Sequence, residues 1–321
     1  MQILHPASGR GLLQLRERRK GGSYASQRVA VSAKAGVSSW DGPPVVIAGA
    51  GIAGLASALA LHKLLTRLPA GEGAFHVFRL LPSSGGSASA PLLQTAHRVE
   101  LLRDNGRLLR RFGFEECDAG SKNEFRGVRR GHLLRVLADS LPPGTISFGE
   151  RVSRLVQQGG SAGSPWPIAQ LEKGSTIEAG VLVAADGARS TLAREGLGLP
   201  PPGYAGYTAY RGVACPEGGT ASLGIPLDTI RVVWGTGVRA GQYALNDKEV
   251  YWFTVFNAPA DEAVPPSAEA RMADALKYVK GWAWGLEETI RSTPATSLSR
   301  SRITDRWTLG AFGKGLVTLA G

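Results

Sequence analysis

The chain has 321 residues, enough for one large domain or two of ordinary size, and 43% of them are hydrophobic. No apolar run is long enough to cross a bilayer, so we expect a globular protein with no transmembrane segment, for which peripheral contact with a membrane stays open. The net charge of +11 raises the question of nucleic acid, but more than half of the excess falls in residues 1–40 and no basic stripe with interleaved aromatics follows, which argues against a nucleic-acid partner.

Residues 1–40 are rich in Arg, Ser, Gly and Ala, and Glu17 is their single acid. No periodic apolar face persists, and this composition is typical of an organelle transit peptide. The stretch from Arg28 to Ala35 is similar to a plastid processing region. We therefore expect cleavage nearby and localisation to the chloroplast, in the stroma or at a membrane surface; the alternative is a disordered tail that is retained.

The stretch VVIAGAGIAGLASALAL, residues 45–61, predicts a buried strand, a glycine loop and a helix. The loop and the helix start are formed by Gly49, Gly51, Ile52, Ala53 and Gly54. In this G-x-G-x-x-G pattern the first glycine allows a tight turn, the second lets a pyrophosphate approach the backbone, and the third lets helix and strand pack closely. Unpaired amides at the helix start favour phosphate, so the stretch predicts dinucleotide binding; the alternative is a tight packing turn.

Three further elements are predicted before the middle of the chain. Phe75–Leu80 is the next strand, and Arg79 lies near its end. Residues 92–112 have helical character, with several leucines as candidate core. Arg126–Leu141 contains a second amphipathic helix, which the Pro-Pro-Gly run after it ends.

The rest of the chain is predicted to be rich in strands. Val181–Ala185 is a buried strand that leads directly into Asp186 and Gly187. After a proline-rich linker, the strand candidates are 207–213, 230–234, 241–245 and 250–256. A helix is predicted over 268–292, and Leu316–Gly321 is a last buried strand.

Taken together, these motifs resemble the FAD-dependent monooxygenases of the aromatic-hydroxylase (p-hydroxybenzoate hydroxylase-like) family, in particular the plant and algal enzymes related to zeaxanthin epoxidase and salicylate hydroxylase. The glycine loop is similar to the family's first motif, and RGVRRGHLL from Arg126 is similar to its arginine followed by a leucine-bearing helix. ADGARS from Ala185 resembles its Gly-Ala-Asp-Gly-x-x-Ser motif. Tyr204–Gly212 and Val250–Asn257 resemble strands of its substrate domain, and the end of the chain resembles the lead-in to its Gly-Asp motif.

The resemblance implies an α/β fold, with a Rossmann-like FAD-binding domain of the glutathione-reductase type and an inserted β-sheet substrate domain. It places the first part of the FAD domain at 43–198, the substrate domain at 204–300 and the return strand of the FAD domain at 301–321. It also implies an FAD-dependent monooxygenase with NADH or NADPH as co-substrate. Molecular oxygen would be captured as a flavin C4a-hydroperoxide that hydroxylates or epoxidises a small aromatic or isoprenoid substrate.

The resemblance further assigns cofactor contacts to residues of this chain. The three loop glycines would contact the FAD diphosphate through their backbone. Asp186 would accept hydrogen bonds from ribose or ribityl hydroxyls, with Gly187 allowing close approach; the alternative is a simple Asp-Gly turn. Arg130 would lie beside the flavin or the nicotinamide, or else is a surface arginine.

Other residues are left with two interpretations each. Arg211, in the Tyr-Arg-Gly strand, either braces the sheet or touches the substrate. An aromatic cluster either packs in the core or lines an apolar pocket, and its members are Tyr243, Tyr251, Trp252, Phe253 and Phe256. The histidines and the two cysteines are scattered, so no metal site is predicted and no catalytic side chain is assigned.

Two features depart from the family pattern. The strand after the glycine loop normally ends in an acid that accepts from the adenosine ribose, whereas Arg79 stands here and a guanidinium cannot accept. An arginine there could pair with a 2′-phosphate, but the family pattern favours FAD. The chain ends at Gly321, before the Asp and the proline-containing helix start that would contact the flavin, so we expect one wall of the flavin site to lie beyond it.

Two alternative functions therefore stay open beside the monooxygenase. One is a truncated, catalytically impaired FAD-binding fragment. The other is an oxidoreductase that uses FAD and NAD(P)H without oxygen insertion. The sequence names no substrate and does not separate NADH from NADPH.

Overall fold

The computed structural model describes residues 42–65, 94–116, 125–158, 164–306 and 312–321, and the backbone of 13–18, 24–29 and 79–80. The chain forms two compact units, one of residues 1–42 with 64–75 and the other of 43–63 with 76–321. In the first unit, β1 (Leu13–Arg18) pairs antiparallel with β2 (Tyr24–Val29). This hairpin lies in the segment predicted as a transit peptide, and the targeting function stays a prediction.

The remaining strands are numbered in chain order: β3 (Val45–Ala48), β4 (Arg79–Leu80), β5 (Thr95–Ala96), β6 (Arg98–Arg103), β7 (Leu108–Gly113), β8 (Phe125–Arg126), β9 (Val152–Gln158), β10 (Pro167–Leu171), β11 (Thr176–Glu178), β12 (Val181–Ala184), β13 (Gly203–Ala214), β14 (Thr229–Trp234), β15 (Val238–Ala244), β16 (Val250–Asn257), β17 (Ser299–Asp305), β18 (Gly313–Lys314) and β19 (Val317–Leu319). The α-helices are α1 (Ile52–Leu65), α2 (Arg130–Asp139), α3 (Thr191–Leu197), α4 (Ala268–Lys277) and α5 (Leu286–Arg291). Short 3-10 helices cover Phe114–Glu116, Thr220–Leu223 and Ala295–Ser297.

A five-stranded sheet in the order β18-β19-β12-β3-β4 carries the glycine loop. Its strands are parallel except β18, and β12 pairs with β3 from Val181 opposite Val45 to Ala184 opposite Ala48. Both strands are short apolar runs, as expected of parallel strands covered on both faces. The carboxyl ends of β3, β12 and β19 therefore meet at one edge. The predicted strands at 181–185 and 316–321 are confirmed.

A seven-stranded sheet in the order β17-β13-β16-β15-β14-β6-β7 forms the larger layer. Neighbouring strands are antiparallel except β14 and β6, which run parallel. Trp252 and Phe256 pack on one face against apolar residues of α4 and α5, including Leu286 and Ile290. The four strands predicted between residues 207 and 256 are confirmed. The strands β6 and β7, which lie in the range predicted for the first part of the FAD domain, also belong to this sheet. The limits of the two domains stay a prediction.

The helix expected over residues 92–112 is wrong, because this stretch forms the hairpin of β6 and β7. The turn between them contains Asn105 and Gly106, and Gly106 has φ 91°. The Arg103 amide donates to the carbonyl of Arg107 across the turn, at 2.8 Å. Asn-Gly between apolar runs is a strong hairpin signal, and it outweighs the leucine spacing that suggested a helix.

The single helix expected over residues 268–292 is also wrong, since α4 and α5 are separate. The residues between them include Gly281 and Gly285 with φ of 73° and 69°, and Trp284 with φ 79°. These left-handed conformations cannot continue an α-helix, so the chain turns between the two. By contrast, α2 lies within the range predicted for it. Two small sheets complete the fold, in the orders β11-β10-β9 and β5-β8.

Candidate functional site

The glycine loop joins β3 to α1 at the edge where the parallel strands end. Gly49 has φ 111°, and a Cβ on it would overlap the carbonyl of Ala185, which follows β12. A Cβ on Gly54 would overlap the carbonyl of Gly49. The Ala185 amide donates to the carbonyl of Ala48 at 2.8 Å, which holds the two strand ends together. Both glycines are thus required by close backbone packing.

The start of α1 lies near the side chain of Arg130. The chain enters the helix at Gly51, whose carbonyl accepts from the Leu55 amide at 3.0 Å. The next amides, of Ile52 and Ala53, belong to the first turn, where helical amides lack an intrahelical acceptor. The Nη2 atom of Arg130 lies 4.0 Å from the position that a Cβ on Gly51 would take. A guanidinium and a helix N-terminus therefore converge on one space, which suits a bound phosphate.

Asp186 follows β12 and places a carboxylate at the same edge. Its Oδ2 accepts from the Thr191 amide at 3.0 Å, next to the start of α3. Its Oδ1 is buried and has no hydrogen-bond partner among the described residues. Gly187, with φ 83°, has open space where a Cβ would stand. A buried acceptor left unpaired costs about 1–3 kcal/mol, so a ligand hydroxyl that donated to Oδ1 would relieve a real cost.

Asp186 also stabilises the start of α3, so its carboxylate does more than a simple Asp-Gly turn requires. Ser190 caps α3 by accepting from the Ala193 amide at 2.8 Å, and its own amide donates to the Gly187 carbonyl at 2.9 Å. The carboxylate is therefore held by the helix start while its second oxygen stays available.

Arg79 stands in β4, where its backbone pairs with Val46 of β3. Its side chain lies outside the described residues. The predicted role of Arg79 at the ribose therefore stays a prediction. The backbone agrees with the predicted strand that ends near Arg79, since β4 pairs with β3 and runs parallel to it.

The aromatic cluster is divided between the two faces of the seven-stranded sheet. Trp252 and Phe256 are 0% and 1% exposed and belong to the core. Tyr243, Tyr251 and Phe253 are half-buried on the opposite face, with ring centroids 5.1 Å apart for the first two and 6.4 Å for the last two. Core packing therefore holds for Trp252 and Phe256, and the pocket stays a prediction for the other three. We call Tyr243, Tyr251 and Phe253 the aromatic face.

Burial changes the acid–base behaviour of these tyrosines. It raises the pKa of Tyr243 to about 12, with a further contribution from the neighbouring Tyr251. Burial also raises the pKa of Tyr251, against the opposing charge and hydrogen bond of Arg211. Both phenols are therefore neutral near pH 7 and act as hydrogen-bonding groups on a largely apolar surface.

Arg211 reaches this face from β13. Its Nη1 donates to the Ser301 hydroxyl of β17 at 2.7 Å, and its guanidinium lies near enough to Tyr251 to lower the pKa of that phenol against the larger effect of burial. The bond to Ser301 braces two strands, as one of its two predicted interpretations had it. The contact with Tyr251 places the guanidinium beside the aromatic face as well.

A short segment before α2 connects the aromatic face to the glycine loop. A Cβ on Gly127 would lie 3.1 Å from Cε2 of Tyr243, and Arg130, three residues later, faces Gly51. Between them, Arg129 donates to Glu249 from Nε at 3.1 Å and from Nη2 at 2.5 Å. No local sequence pattern indicates this ion pair, because 120 residues separate its partners.

The described residues contain neither a metal-binding cluster nor a membrane-spanning helix. No group of three or more His, Cys, Asp or Glu side chains that could hold a metal ion occurs among them. No helix in the described part of the chain is long and apolar enough to cross a membrane.

A glycine loop on a parallel sheet, an acid after the adjacent strand and a second sheet with an aromatic face together define an FAD-binding fold of the p-hydroxybenzoate hydroxylase type. Known proteins agree with that class. The chain is 28% identical over 296 residues to the aurachin C monooxygenase/isomerase of Stigmatella aurantiaca, covering 87% of this chain and 73% of that protein. It is 29% identical over 299 residues to monooxygenase 1 of Arabidopsis thaliana, covering 86% and 71%.

Two further comparisons concern a shorter match and the fold. The chloroplastic zeaxanthin epoxidase of an Oncidium hybrid cultivar is 27% identical over 199 residues, covering 61% of this chain and 28% of that protein. The crystal structure of Klebsiella pneumoniae HpxO complexed with FAD and uric acid has a TM-score of 0.69 at 22% identity, covering 86% of this chain and 72% of that one. No protein-family model matches the chain. The chain is thus a relative of the FAD-dependent monooxygenases and has their fold, which confirms the resemblance to that family and the predicted fold class. The plant or algal type and the truncation stay predictions.

Proposed function

We propose that the chain is a monooxygenase that binds FAD and uses NAD(P)H and molecular oxygen to hydroxylate or epoxidise a small aromatic or isoprenoid compound. The observation that carries the proposal is the unpartnered buried Oδ1 of Asp186, at the edge where the glycine loop and Arg130 converge. This donor and acceptor set fits a dinucleotide that carries both phosphate and hydroxyl groups. The relationship to FAD-dependent monooxygenases supports the same assignment.

Each group has a defined task in this proposal. The amides of Gly51 to Gly54 and the guanidinium of Arg130 would hold the diphosphate, and Asp186 would accept from a ribityl or ribose hydroxyl. FAD supplies the oxygen activation when bound. The aromatic face would exclude water and hold an apolar substrate, with Arg211 orienting Tyr251. The assignment of these residues is part of the proposal.

Flavin titration tests the cofactor part. Asp186→Asn preserves the size of the side chain but turns one acceptor oxygen into a donor. We expect FAD to bind about tenfold or more weakly, since hydrogen bonds to charged groups contribute about 1.5–3 kcal/mol. Asp261→Asn, at an exposed carboxylate, is the control and should bind as the unmodified chain does. Equal affinity of the unmodified chain and Asp186→Asn would remove Asp186 from the site.

Oxygen insertion needs its own assay. Candidate substrates are tested for stimulation of NADH or NADPH oxidation, with product mass and hydrogen peroxide measured together. A product that has gained one oxygen atom supports the monooxygenase. Peroxide without an oxygenated product would favour the oxidoreductase that lacks oxygen insertion.

The proposal includes a plastid location. It rests on the composition of residues 1–40 and on the chloroplastic zeaxanthin epoxidases among the relatives. Residues 1–40 fused to a fluorescent protein should enter the plastids of a plant or algal cell, and diffuse cytosolic fluorescence would contradict the targeting.

A further inference from the structure

Arg129 and Arg130 are adjacent but their side chains reach different parts of the molecule. Arg129 is the residue before α2, with extended backbone angles of −65° and 128° and no side-chain cap bond. Its guanidinium donates to both carboxylate oxygens of Glu249, at 3.1 and 2.5 Å. Arg130 begins the helix and faces Gly51. The ion pair thus lies one residue from the proposed phosphate contact.

Glu249 is well placed to anchor its partner. It closes the turn between β15 and β16, where its carbonyl accepts from the Leu245 amide at 2.8 Å. Its carboxylate also accepts from Nδ2 of Asn246 at 3.0 Å. The hydrogen bond with Arg129 lowers the pKa of Glu249 and raises that of Arg129, so both groups are charged at neutral pH. Their side chains are 23% and 39% exposed, which leaves the pair only partly screened by water.

The helix that begins here is only partly covered by its neighbours. None of the α2 residues, all of which the structure describes, is fully buried. Near its start, the Gly127 amide donates to the Gln94 carbonyl at 3.2 Å, and the Gln94 amide donates to that of Leu245 at 3.4 Å. Backbone hydrogen bonds through Gln94 and the Arg129–Glu249 pair therefore join this turn to the segment before α2.

We propose that Arg129 and Glu249 are positioning residues, whose ion pair holds the start of α2 so that Arg130 faces the glycine loop. The pair connects the β15–β16 turn, which adjoins Tyr243 of the aromatic face, to the cofactor loop. A shift of β15 and β16 in the seven-stranded sheet would therefore be transmitted to Arg130. This inference rests on the proposed flavin site.

The first test is FAD affinity by flavin fluorescence titration. Glu249→Gln keeps the shape of the side chain and removes its charge, and we expect FAD to bind about three- to tenfold more weakly, because a partly exposed charge pair contributes up to about 1 kcal/mol and the freed helix start adds to this loss. Glu249→Asp should recover part of the affinity. Asp228→Asn breaks the comparably exposed Arg98–Asp228 pair, 2.8 Å long, and should leave affinity unchanged.

A double substitution separates positioning from general destabilisation. If Glu249 acts through Arg130, then Glu249→Gln should weaken FAD binding little further in an Arg130→Gln background. A loss of the same size in both backgrounds would overturn the proposal, because the effect would then not pass through Arg130.

Hydrogen exchange provides a readout that needs no flavin. In the protein without added FAD, the amides of Leu133 and Leu134 should exchange several-fold faster in Glu249→Gln, while those of β16 stay unchanged. Unchanged exchange in α2 would overturn the proposal. If the unmodified chain binds no FAD, the proposed function is contradicted. If it binds FAD with the same affinity as Glu249→Gln, only the positioning role is contradicted.

Discussion

The two faces of the seven-stranded sheet are built from alternate residues of the same strands, yet they differ in how completely they are packed. Along β16, Trp252, Thr254 and Phe256 are buried, whereas Tyr251 and Phe253 are half-buried. The first face is covered by apolar residues of α4 and α5. The second carries aromatic rings that neighbouring residues only partly cover. One face is thus a closed core, and the other leaves part of its aromatic surface uncovered by the described residues.

Polar groups also differ between the faces. On the packed face, Gln242 is 0% exposed, donates to the Trp284 carbonyl at 2.6 Å and accepts from the Thr289 hydroxyl at 2.8 Å. The Trp252 indole donates to the Thr293 hydroxyl at 2.8 Å. Each of these groups is satisfied within the protein, whereas the buried Thr254 hydroxyl on the same face has no partner among the described residues. The tyrosines of the aromatic face are partly open, so a ligand could take part in their hydrogen bonding.

The largest expected difference is between two neighbours in β16. Trp252→Ala should lower the free energy of unfolding by about 3–5 kcal/mol, because it removes a fully buried ring and leaves a cavity. Phe253→Ala, on the other face, should cost less than half as much. Urea unfolding monitored by circular dichroism measures both. Equal losses would show that the aromatic face is a second core.

Gln242 tests the polar part of the packed face. Gln242→Leu should cost about 1–3 kcal/mol, since the buried Trp284 carbonyl loses its donor, whereas the Thr289 hydroxyl keeps an acceptor in the Gly285 carbonyl at 2.8 Å. Tyr243→Phe, the next residue on the opposite face, is the matched control and should change stability little. A loss in Tyr243→Phe as large as in Gln242→Leu would contradict the comparison.

The aromatic face should respond in activity instead. Tyr251→Phe removes the hydroxyl that Arg211 contacts, and Arg211→Lys removes the planar donor set that reaches Ser301. For each we expect the KM for the substrate that stimulates NAD(P)H oxidation to rise about threefold to tenfold, from the loss of roughly 1 kcal/mol. Stability should change little. A normal KM in both variants would show that the substrate lies elsewhere.

The last expected effect is on pH dependence and appears only at alkaline pH, so it is absent near neutrality. The raised pKa of Tyr243, about 12, stabilises the fold fully below the unfolded value near 10 and is lost as pH rises from about 10 to 12. Tyr243→Phe should therefore show a shallower decline in the free energy of unfolding over that range. The measurement is urea unfolding at several alkaline pH values, and identical slopes would contradict the assignment to Tyr243.

Local signals explain what the sequence predicted. The glycine loop, the buried strand before Asp186 and the strands between 207 and 256 depend on nearby residues, and the structure contains each of them. The β6–β7 hairpin has an equally local signal in Asn105-Gly106, and this signal outweighs the leucine spacing that favours a helix. Alternation along β16 could have divided the aromatic cluster, since successive side chains of a strand point to opposite faces.

Long-range contacts explain what it did not. The Arg129–Glu249 pair and the contact of Gly127 with Tyr243 join residues more than 100 positions apart, and only the fold brings them together. The unpaired oxygen of Asp186 likewise depends on burial, which no motif specifies. The arrangement of the candidate site therefore lies largely in pairings that a single sequence does not display.

The parallel pairing of β6 with β14 has a consequence for how the chain is made. Glu100 and Arg231, which bond across this pair, are 131 residues apart. During synthesis the β6–β7 hairpin can form early, because its contacts are local. The other edge of β6 stays unpaired until β14 has left the ribosome. Sheets with such long-range pairing form slowly, and an unpaired strand edge can pair with other chains. The order in which the ribosome delivers these strands thus makes chaperone binding most valuable before residue 229 emerges.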